Sequence, residues 1–381
     1  MTLDNALSAC GDRDEAQALL ASLVAVRSYP GEEGPVQQTV SDWMQANGLM
    51  PQFQEAGPNR PNVVTIIENG DGPTMLLNGH TDTVLAADGW SSDPWQGRVD
   101  GDIYYGLGAC DMKSGVSSML LAARALNQNR DGWRGTVLVT SVVDEEAYSI
   151  GARALIEQGL QADYAIVTEA AWSAPCLGSI GKILVQLDVT GRAAHATFPE
   201  NGVNAAIELA KFIARFEETP IATHPRMRGN QTILSSMSGS AQYVVTMPEH
   251  ARALINRHTV PGESTEEILA KYQALADSLN SPASFEFSVQ PPFYPPWETD
   301  PGHPLVQSML AAYRDEAGFK PTFGYAGFGD TNLFSTEAGI PTVMFGPNGS
   351  GFHEKDEWVD VTSIPVVARM IVRMTYELLG E

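Results

Sequence analysis

Apolar and polar residues recur along the first half of this chain with two periods, one typical of helices and one typical of strands. The helical period predicts helices over 14–26, 36–47, 113–127 and 150–158. Short apolar runs predict strands over 63–68, 74–77, 136–143 and 164–168. Because these strands alternate with helices, the pattern predicts an α/β fold with a mostly parallel sheet covered by helices.

The pattern changes near residue 178. Strands are predicted over 183–190, 233–237, 243–247, 251–258 and 284–289, with helices over 204–216 and 265–279. This order predicts a smaller α+β domain of ferredoxin-like type. After the proline-rich segment 291–296 the α/β pattern resumes, with a helix over 304–317, a strand over 342–345 and a helix over 364–379.

The chain is therefore expected to form two domains, one of them discontinuous. Its 381 residues exceed the usual size of a single hydrophobic core. We expect residues 1–177 and 291–381 to form the α/β domain, which carries the candidate catalytic residues. Residues 178–290 would form the inserted domain.

Composition and charge narrow the function classes. The chain has 23 Lys and Arg against 46 Asp and Glu, a formal net charge of −23, and no basic stripe. Such acidity argues against nucleic acid and anionic membranes as partners. We expect no signal peptide, and no stretch is long and apolar enough to span a bilayer. Three widely spaced cysteines, Cys10, Cys110 and Cys176, fit a reducing cytoplasm.

Candidate metal ligands come directly after predicted strands. His80 follows the second strand, Asp144, Glu145 and Glu146 follow the third, and Glu169 follows the fourth. The carboxyl ends of parallel strands meet at one edge of a sheet, so we expect these side chains to lie close together. Three consecutive carboxylates repel one another unless cations or protons neutralise them. One of them can bind a metal while its neighbour acts as a general base.

Two further candidates lie in glycine-rich segments. Asp111 follows Gly106-Leu107-Gly108, but it stands where a dinucleotide fingerprint needs a third glycine, and its charge would repel a pyrophosphate. A carboxylate at this predicted helix start is favoured and can bridge two metals. His353 lies in a glycine-rich loop after the strand at 342–345. With the strand-end residues, these two complete a set suited to a pair of borderline divalent metals.

Five segments of this chain are informative as a set. They are Gly79-His80-Thr81-Asp82-Thr83-Val84, Gly108-Ala109-Cys110-Asp111-Met112-Lys113, Asp144-Glu145-Glu146, Gly191-Arg192-Ala193-Ala194-His195-Ala196 and Phe352-His353-Glu354. In this order they resemble the signatures of the M20 metallopeptidase family. That family includes acetylornithine deacetylase, succinyl-diaminopimelate desuccinylase, aminoacylase and glutamate carboxypeptidase. The resemblance covers nearly the whole chain, from about Leu20 to Leu378.

The resemblance implies a centre with two divalent metal ions, zinc first, with cobalt or manganese as alternatives. Asp111 would bridge the two ions. His80 and Glu169 would complete one site, and Glu146 and His353 would complete the other. The resemblance also implies a cis peptide bond directly after Asp111.

The resemblance further implies groups that act on the substrate. Glu145 would be the general base, and Asp82 would orient His80. The insert would be a lid and dimerisation domain whose His195 reaches a neighbouring subunit's site and polarises the scissile carbonyl. Arg257 would bind a substrate carboxylate. Backbone N–H groups would assist it, at Gly346, Asn348 and Gly349.

The expected function is that of a metal-dependent amidohydrolase acting on small N-acyl amino acids as a cytoplasmic homodimer. Asp93-Pro94 and the segment 109–113 resemble the acetylornithine deacetylase group and favour a deacylase. An exopeptidase of the same family, acting on short peptides, is the alternative within this class. A metal-binding scaffold without catalysis is the alternative of another class. It would be marked by a missing ligand or base, whereas all six positions are filled.

Overall fold

The computed structural model describes residues 2–235, 238–240, 243–325 and 327–380. Its α-helices are α1 (Thr2–Ser8), α2 (Arg13–Val24), α3 (Gly34–Ala46), α4 (Ser114–Gln128), α5 (Ile150–Glu157), α6 (Ala205–Arg215), α7 (Thr265–Ser278), α8 (Pro304–Ala312), α9 (Asp330–Asn332) and α10 (Ser363–Leu378). Its strands are β1 (Gln52–Gly57), β2 (Arg60–Asn69), β3 (Thr74–His80), β4 (Arg98–Asp100), β5 (Ile103–Tyr105), β6 (Gly135–Val142), β7 (Tyr164–Val167), β8 (Gly178–Ser179), β9 (Gly181–Thr190), β10 (Asn230–Ile233), β11 (Ser238–Ser240), β12 (His250–Thr259), β13 (Ser284–Tyr294), β14 (Trp297–Glu298), β15 (Thr342–Met344), β16 (Gly349–Ser350) and β17 (Trp358–Asp360).

The chain divides into two compact units. Unit 1 comprises Met1–Gly178 and Glu298–Glu381, and unit 2 comprises Ser179–Trp297. The second boundary therefore falls later than the proline-rich segment suggested. Strand β13 continues through a cis bond between Pro291 and Pro292 and ends only at Tyr294.

Unit 1 is built on a six-stranded sheet in the order β1-β2-β6-β3-β7-β15. Strands β6, β3, β7 and β15 are parallel neighbours, and β1 and β2 are antiparallel additions at one side. The mostly parallel α/β sheet predicted from the sequence is confirmed. Because the four parallel strands point the same way, the loops that follow them lie at one edge of the sheet.

Helices cover both faces of this sheet. Side chains alternate between the two faces along a strand, so Met75 and Asn78 of β3 point to opposite sides. The hydroxyl of Thr375 in α10 lies 3.4 Å from the Met75 sulfur. The Asn78 amide lies 3.4 Å from the Asp330 carboxylate in α9. Strand β3 is thus covered on both faces. Its last residue, His80, is therefore held on a well-packed backbone.

Unit 1 also contains an antiparallel sheet in the order β16-β17-β5-β4. Its strands have only two or three residues each, and none was predicted from apolar periodicity. Strand β17 pairs with β5 just before the glycine-rich segment that leads to Asp111. This small sheet therefore fixes the start of that segment to the carboxyl-terminal part of the chain.

Unit 2 has the order β9-α6-β10-β12-α7-β13, with β11 as an extra strand beside β12. Its antiparallel sheet has the strand order β10-β12-β9-β13, which is the ferredoxin-like arrangement. Apolar residues of α6 and α7 pack on the inward face of β9 and β12, including Leu209, Phe212, Tyr272, Val185 and Ile255.

The strand expected at 243–247 is wrong. This segment is a turn, in which the Thr246 N–H donates to the carbonyl of Tyr243 at 3.0 Å. Its other backbone bonds go to the loop around His195 and not to the sheet, and Tyr243, Val244 and Val245 are exposed. Residues 236 and 237 of the expected strand 233–237 lie outside the described residues, and β10 ends at Ile233. Among the helices described, none has both the length and the apolar composition needed to cross a bilayer.

Candidate metal centre

The six residues expected to form the site lie together at the carboxyl-terminal edge of the unit 1 sheet. His80 is the last residue of β3 and is paired in register with Val142 at the end of β6. Ligand atoms of His80, Asp111 and Glu146 lie within 4.8 Å of one another, as do those of His80, Glu145 and Glu169. His353 joins them from the loop after β16, where it adopts a positive φ of 63°.

Asp111 directs its two carboxylate oxygens at two different imidazoles. Its Oδ1 lies 3.3 Å from His80 Nε2, and its Oδ2 lies 3.3 Å from His353 Nε2. Each imidazole nitrogen also faces one further carboxylate. Glu169 Oε1 is 3.3 Å from His80 Nε2, and Glu146 Oε1 is 3.1 Å from His353 Nε2. The groups therefore form two sets that share Asp111.

The spacing and chemistry of these atoms fit a pair of divalent ions. Two ligand atoms that are each about 2.0–2.1 Å from a tetrahedral ion lie roughly 3.3 Å apart, which is the separation found in both sets. His80 Nε2 is buried and has no hydrogen-bond partner among the described residues. A buried imidazole nitrogen without a partner, facing carboxylates, is a position that a metal ion would satisfy.

Asp82 connects one ligand to another. The Nδ1 atom of His80 lies 3.0 Å from the carbonyl oxygen of Asp82 and 3.5 Å from its carboxylate. A hydrogen bond donated from Nδ1 leaves the Nε2 lone pair facing Asp111 and Glu169. The Asp82 carboxylate also accepts a hydrogen bond from the Glu146 N–H at 3.0 Å. One buried residue thus orients groups from both sets.

The backbone around Asp111 departs from a regular helix. Residues Ala109–Lys113 form a π-helical turn that leads into α4, with Asp111 at φ −112° and ψ 98°. The peptide bond between Asp111 and Met112 is cis, as the resemblance implied. Gly108 precedes this turn with a φ of 74°, a left-handed conformation that favours glycine.

A buried ion pair holds the turn that carries Glu145 and Glu146. Asp144 precedes them with a positive φ of 70°, and its Oδ1 accepts a hydrogen bond from Arg60 at 2.5 Å. Arg60 also donates to the carboxylate of Glu33, which is fully buried. The other oxygen of Asp144 accepts the Tyr148 N–H at 3.1 Å. The geometry of this turn is therefore set by residues that come before β3 in the chain.

Glu145 is set back from the imidazoles. Its Oε2 lies 3.8 Å from His80 Nε2, farther than the other carboxylates of the site. A Cβ atom at Gly329 would lie 1.9 Å from Glu145 Oε1, so a side chain at position 329 would displace this carboxylate. Burial raises the pKa of Glu145; the charge of His80 opposes the rise, and Glu169 and other nearby carboxylates add to it. A carboxyl group in this environment takes up a proton more readily than an exposed one.

The carboxylates also determine the charge of the imidazoles when protein groups alone are present. Hydrogen bonds to Asp111 and Glu146 raise the pKa of His353 to about 10. Burial opposes protonation of His80, but Glu169 and Asp111 still hold its pKa well above the usual value. The pKa of Asp111 is lowered because the two imidazoles that face its oxygens outweigh the effect of its burial. With protein groups alone, His353 therefore carries a proton at pH 7.

We expect metal binding to this protein to release protons and to strengthen as pH rises. Metal ligation needs a neutral imidazole, and a pKa of about 10 for His353 means that an ion must displace its proton at pH 7. Titration calorimetry in buffers of different ionisation enthalpy measures the number of protons released. The variant His353→Ala should release fewer. Metal binding at pH 7 without proton release would contradict this charge state.

Two of the expected catalytic and substrate-binding groups lie in unit 2. His195 is exposed, and its Nδ1 accepts a hydrogen bond from the Thr197 N–H at 3.2 Å, which leaves Nε2–H as a donor. Arg257 is only 1% exposed, and its guanidinium donates to the carboxylate of Glu263. Its Nε and Nη1 atoms have no hydrogen-bond partner among the described residues. The expected binding of a substrate carboxylate by Arg257 stays a prediction.

The expected backbone donors of the 346–349 segment differ in their availability. The Asn348 N–H donates to the Ser363 hydroxyl at 2.9 Å, and its expected contact with substrate stays a prediction. Gly349 pairs with Val359 between β16 and β17. Gly346 lies so close to Glu169 that a Cβ atom there would be 2.4 Å from the Glu169 carbonyl oxygen. Because Gly346 has no side chain, the 346–349 segment can lie directly against the backbone of Glu169.

Sequence reasoning missed several residues that hold the site in place. The charged run from Glu354 to Glu357 looks like a solvated loop, yet Glu357 is buried against the Asp111 segment. Arg60 is an isolated cation at the start of a strand, and nothing in its local sequence indicates its contact with Asp144. Gly329 lies in a turn whose closeness to Glu145 depends on the fold. These residues carry no signal in the local pattern.

Two imidazoles and two glutamates around one shared aspartate, with a third glutamate beside them, fit a dinuclear metal-dependent hydrolase. Residues 76–377 match the family model described as Peptidase family M20/M25/M40, and this chain belongs to that family. It is a metal-dependent amide hydrolase.

Individual relatives and solved structures agree with this placement. The chain is 27% identical over 371 residues to a succinyl-diaminopimelate desuccinylase of Methylobacterium radiotolerans, covering 92% of this chain and 93% of that protein. The fold is similar to aminopeptidase PepT from Bacillus cereus, with a TM-score of 0.79, 22% identity and coverage of 97% and 99% of the two chains. It is also similar to a dinuclear metal-binding peptidase of the M20 family from Bacillus subtilis, with a TM-score of 0.74, 16% identity and coverage of 96% and 98%.

Proposed function

We propose that this protein is a deacylase that hydrolyses the amide bond of small N-acyl amino acids with two divalent ions. One observation carries the proposal. Asp111 presents one oxygen to His80 and the other to His353, each at 3.3 Å, and Glu145 stands beside this pair. The similarity to a desuccinylase, whose name describes removal of an acyl group, favours an N-acyl substrate over a peptide.

The residues of the chain divide the chemistry among them. His80 and Glu169 would hold one ion, Glu146 and His353 the other, and Asp111 both. When bound, the ions supply a lowered pKa for the attacking water and polarisation of the amide carbonyl. Glu145 accepts the proton of that water and passes it to the departing amine.

His195 would act on the oxyanion that forms when water attacks the amide carbonyl. Its Nε2–H is left as a donor because Nδ1 accepts the Thr197 N–H. A donor directed at developing negative charge is an effective form of catalysis when it is held in place. Asp82 acts only by orienting His80 and the Glu146 backbone.

We propose zinc as the native metal and the cytoplasm as the location. Imidazole and carboxylate ligands in sets of three suit zinc, although cobalt and manganese accept the same ligands. The three cysteines, all within the described residues, form no disulfide and are buried, which supports a reducing compartment. Metal analysis of protein purified without added metal would identify the ion.

We propose that unit 2 is a lid and that the protein acts as a homodimer through it. The surface around His195 supports this, since exposed apolar side chains surround it. The Phe198 ring centroid is 6.2 Å from that of His195, and the Val245 carbonyl accepts the Ala196 N–H at 2.7 Å. Val244 and Val245 are both exposed. Apolar groups clustered around a catalytic donor favour cover by a second copy of this chain.

We expect Val245→Asp to weaken both the dimer and the activity. A buried unpaired carboxylate would oppose association, and His195 would no longer reach the neighbouring site. Sedimentation velocity and steady-state rates on the same samples measure the two effects. Ile66→Asp is the matched control, because Ile66 in unit 1 is 55% exposed and Val245 is 52% exposed. A Val245→Asp variant that remains dimeric and active would refute the role of this surface.

A substrate panel tests the proposed function directly. The metal-loaded protein is assayed with N-acetyl, N-formyl and N-succinyl amino acids and with dipeptides and tripeptides. We expect kcat/KM to be at least tenfold higher for one N-acyl amino acid than for any free peptide, which is about 1.4 kcal/mol of discrimination. The reverse preference would assign an exopeptidase. No turnover of any compound by protein with two bound ions would favour the scaffold alternative.

A further inference from the structure

Glu357 is a buried carboxylate that none of the proposed metal sites uses. It lies four residues after His353 and directly before β17, and it is only 1% exposed. It belongs to neither cluster of candidate ligand atoms. A carboxylate buried so completely needs partners for both of its oxygens.

Three backbone N–H groups of the Asp111 segment supply those partners. The Oε2 atom of Glu357 accepts the Gly108 N–H at 2.8 Å. Its Oε1 accepts the Cys110 N–H at 2.7 Å and the Asp111 N–H at 2.9 Å. In addition, the Glu357 carbonyl accepts the Gly106 N–H at 3.1 Å. Glu357 therefore accepts four hydrogen bonds from the segment that ends at Asp111, and these bonds hold that segment.

These N–H groups have few other acceptors. They belong to the first turn before α4, where backbone N–H groups lack helical partners. A carboxylate among several converging N–H groups at a helix start is a stable anion position, and its hydrogen bonds are charge-assisted. In this protein a side chain of the chain itself occupies that position.

The orientation of Asp111 depends on the same backbone. Its two oxygens must face His80 and His353 at once, which a rotation of the 108–111 segment would prevent. Glu357 bonds to the Asp111 N–H itself and comes from the loop that carries His353. Glu357 therefore joins the segment of Asp111, the ligand shared by both proposed ions, to the loop of His353, a ligand for one of them.

We propose that Glu357 is a positioning residue that holds Asp111 in its bridging orientation and couples the Asp111 segment to the His353 loop. The proposal rests on the metal centre of the proposed function but not on the substrate. Glu357 touches neither the ions nor the substrate. Its effect should appear in how the second ion binds and how strongly the two ions interact.

The test is a cobalt(II) titration of Glu357→Gln, followed by visible absorption and by electron paramagnetic resonance. Gln can still accept two N–H groups but turns an N–H₂ group towards Gly108. We expect the Kd of the second ion to rise about 10- to 100-fold, as for other groups that orient ligands. Spin coupling between the two ions should weaken, and kcat should fall far more than KM changes. Glu357→Ala should show larger effects of the same kind.

Glu316→Gln is the matched control for loss of a buried carboxylate in unit 1. Glu316 accepts hydrogen bonds from Arg369, at 2.7 Å, and from Arg373, and contacts no residue of the metal centre. The Glu316→Gln substitution should lower the Tm while leaving cobalt binding and spin coupling unchanged. Wild-type cobalt affinity and coupling in Glu357→Gln would overturn the proposal. If the control variant lost coupling to the same extent, the effect would be one of stability and the proposal would fail as well.

Hydrogen exchange of the wild-type protein tests the same contacts if the Glu357 variants do not fold. The amides of Gly108, Cys110 and Asp111 should exchange slowly in the metal-free protein, and fast exchange would overturn the proposal. The proposed function fails in a different way. Protein that binds two coupled ions but hydrolyses no N-acyl amino acid would refute the deacylase and leave the role of Glu357 intact.

Discussion

Replacing Glu145 by Gln is expected to remove nearly all turnover while the protein keeps both ions. The amide has the size of the carboxylate, so it fits beside Gly329, but it cannot accept the proton of the attacking water. Loss of a general base typically costs about 10²- to 10⁴-fold in rate. Metal content should not change, because Glu145 is 3.8 Å from the nearest imidazole nitrogen and is not a ligand in the proposed sets. Steady-state kinetics and metal analysis of one preparation measure both properties.

Glu157→Gln is a suitable control for this experiment. Glu157 is the last residue of α5, is exposed and lies in the same unit. The turnover rate of Glu157→Gln should therefore equal that of the wild type. Two results would contradict the assignment. If Glu145→Gln keeps normal activity, another group is the base. If it loses an ion, Glu145 is a ligand, which the cluster of His80, Glu145 and Glu169 atoms would then explain.

Replacing Asp111 by Asn is expected to abolish the paired metal centre. A carboxylate can give one oxygen to each ion, whereas an amide has a single oxygen and presents N–H donors on its other side. The structure uses both oxygens of Asp111, one towards His80 and one towards His353. We expect no more than about one ion per chain in place of two, and a loss of at least about 10³-fold in kcat, since two-ion chemistry needs both partners.

Metal analysis after dialysis and a rate assay with added metal test this expectation. Asp71→Asn is the control, because Asp71 is an exposed residue between β2 and β3 and its loss removes the same charge from the same unit. Restored activity of Asp111→Asn at high metal concentration would mean that Asp111 contributes affinity alone. Two tightly bound ions in this variant would contradict its role as the shared ligand.

Most regular elements of the fold were predictable because their apolar residues recur with a clear period. Helices α2, α3, α4 and α10 and strands β3, β6 and β7 lie within a few residues of the predicted ranges. The prediction of a strand at 243–247 was wrong because this segment forms a turn with solvent-exposed apolar residues. Periodicity does not show whether a neighbouring strand is present to pair with it. The sheet β16-β17-β5-β4 was missed because its strands are too short to show a period.

The candidate metal residues were predictable because ligand chemistry depends on residue type and because parallel strands end at one edge. That rule placed His80, Glu146 and Glu169 at one edge, where all three lie in unit 1, whereas their assignment as metal ligands came from the family resemblance. Arg257 shows what the local sequence does not contain. Nothing near it in the sequence indicates that its guanidinium is buried and paired with Glu263 inside unit 2.

The sequence by itself determined the α/β class, the identity of the candidate ligands, and the chemistry that two histidines and several carboxylates can support. These properties reside in local periodicity and in single side chains. Only the tertiary structure decided that Asp111 faces two imidazoles, that Glu145 fits against Gly329, and that Glu357 holds the Asp111 segment. The physical reason is that such contacts join distant segments, as with Glu357 and Asp111, which are 246 residues apart. No local pattern encodes which of many charged residues will meet when the chain folds.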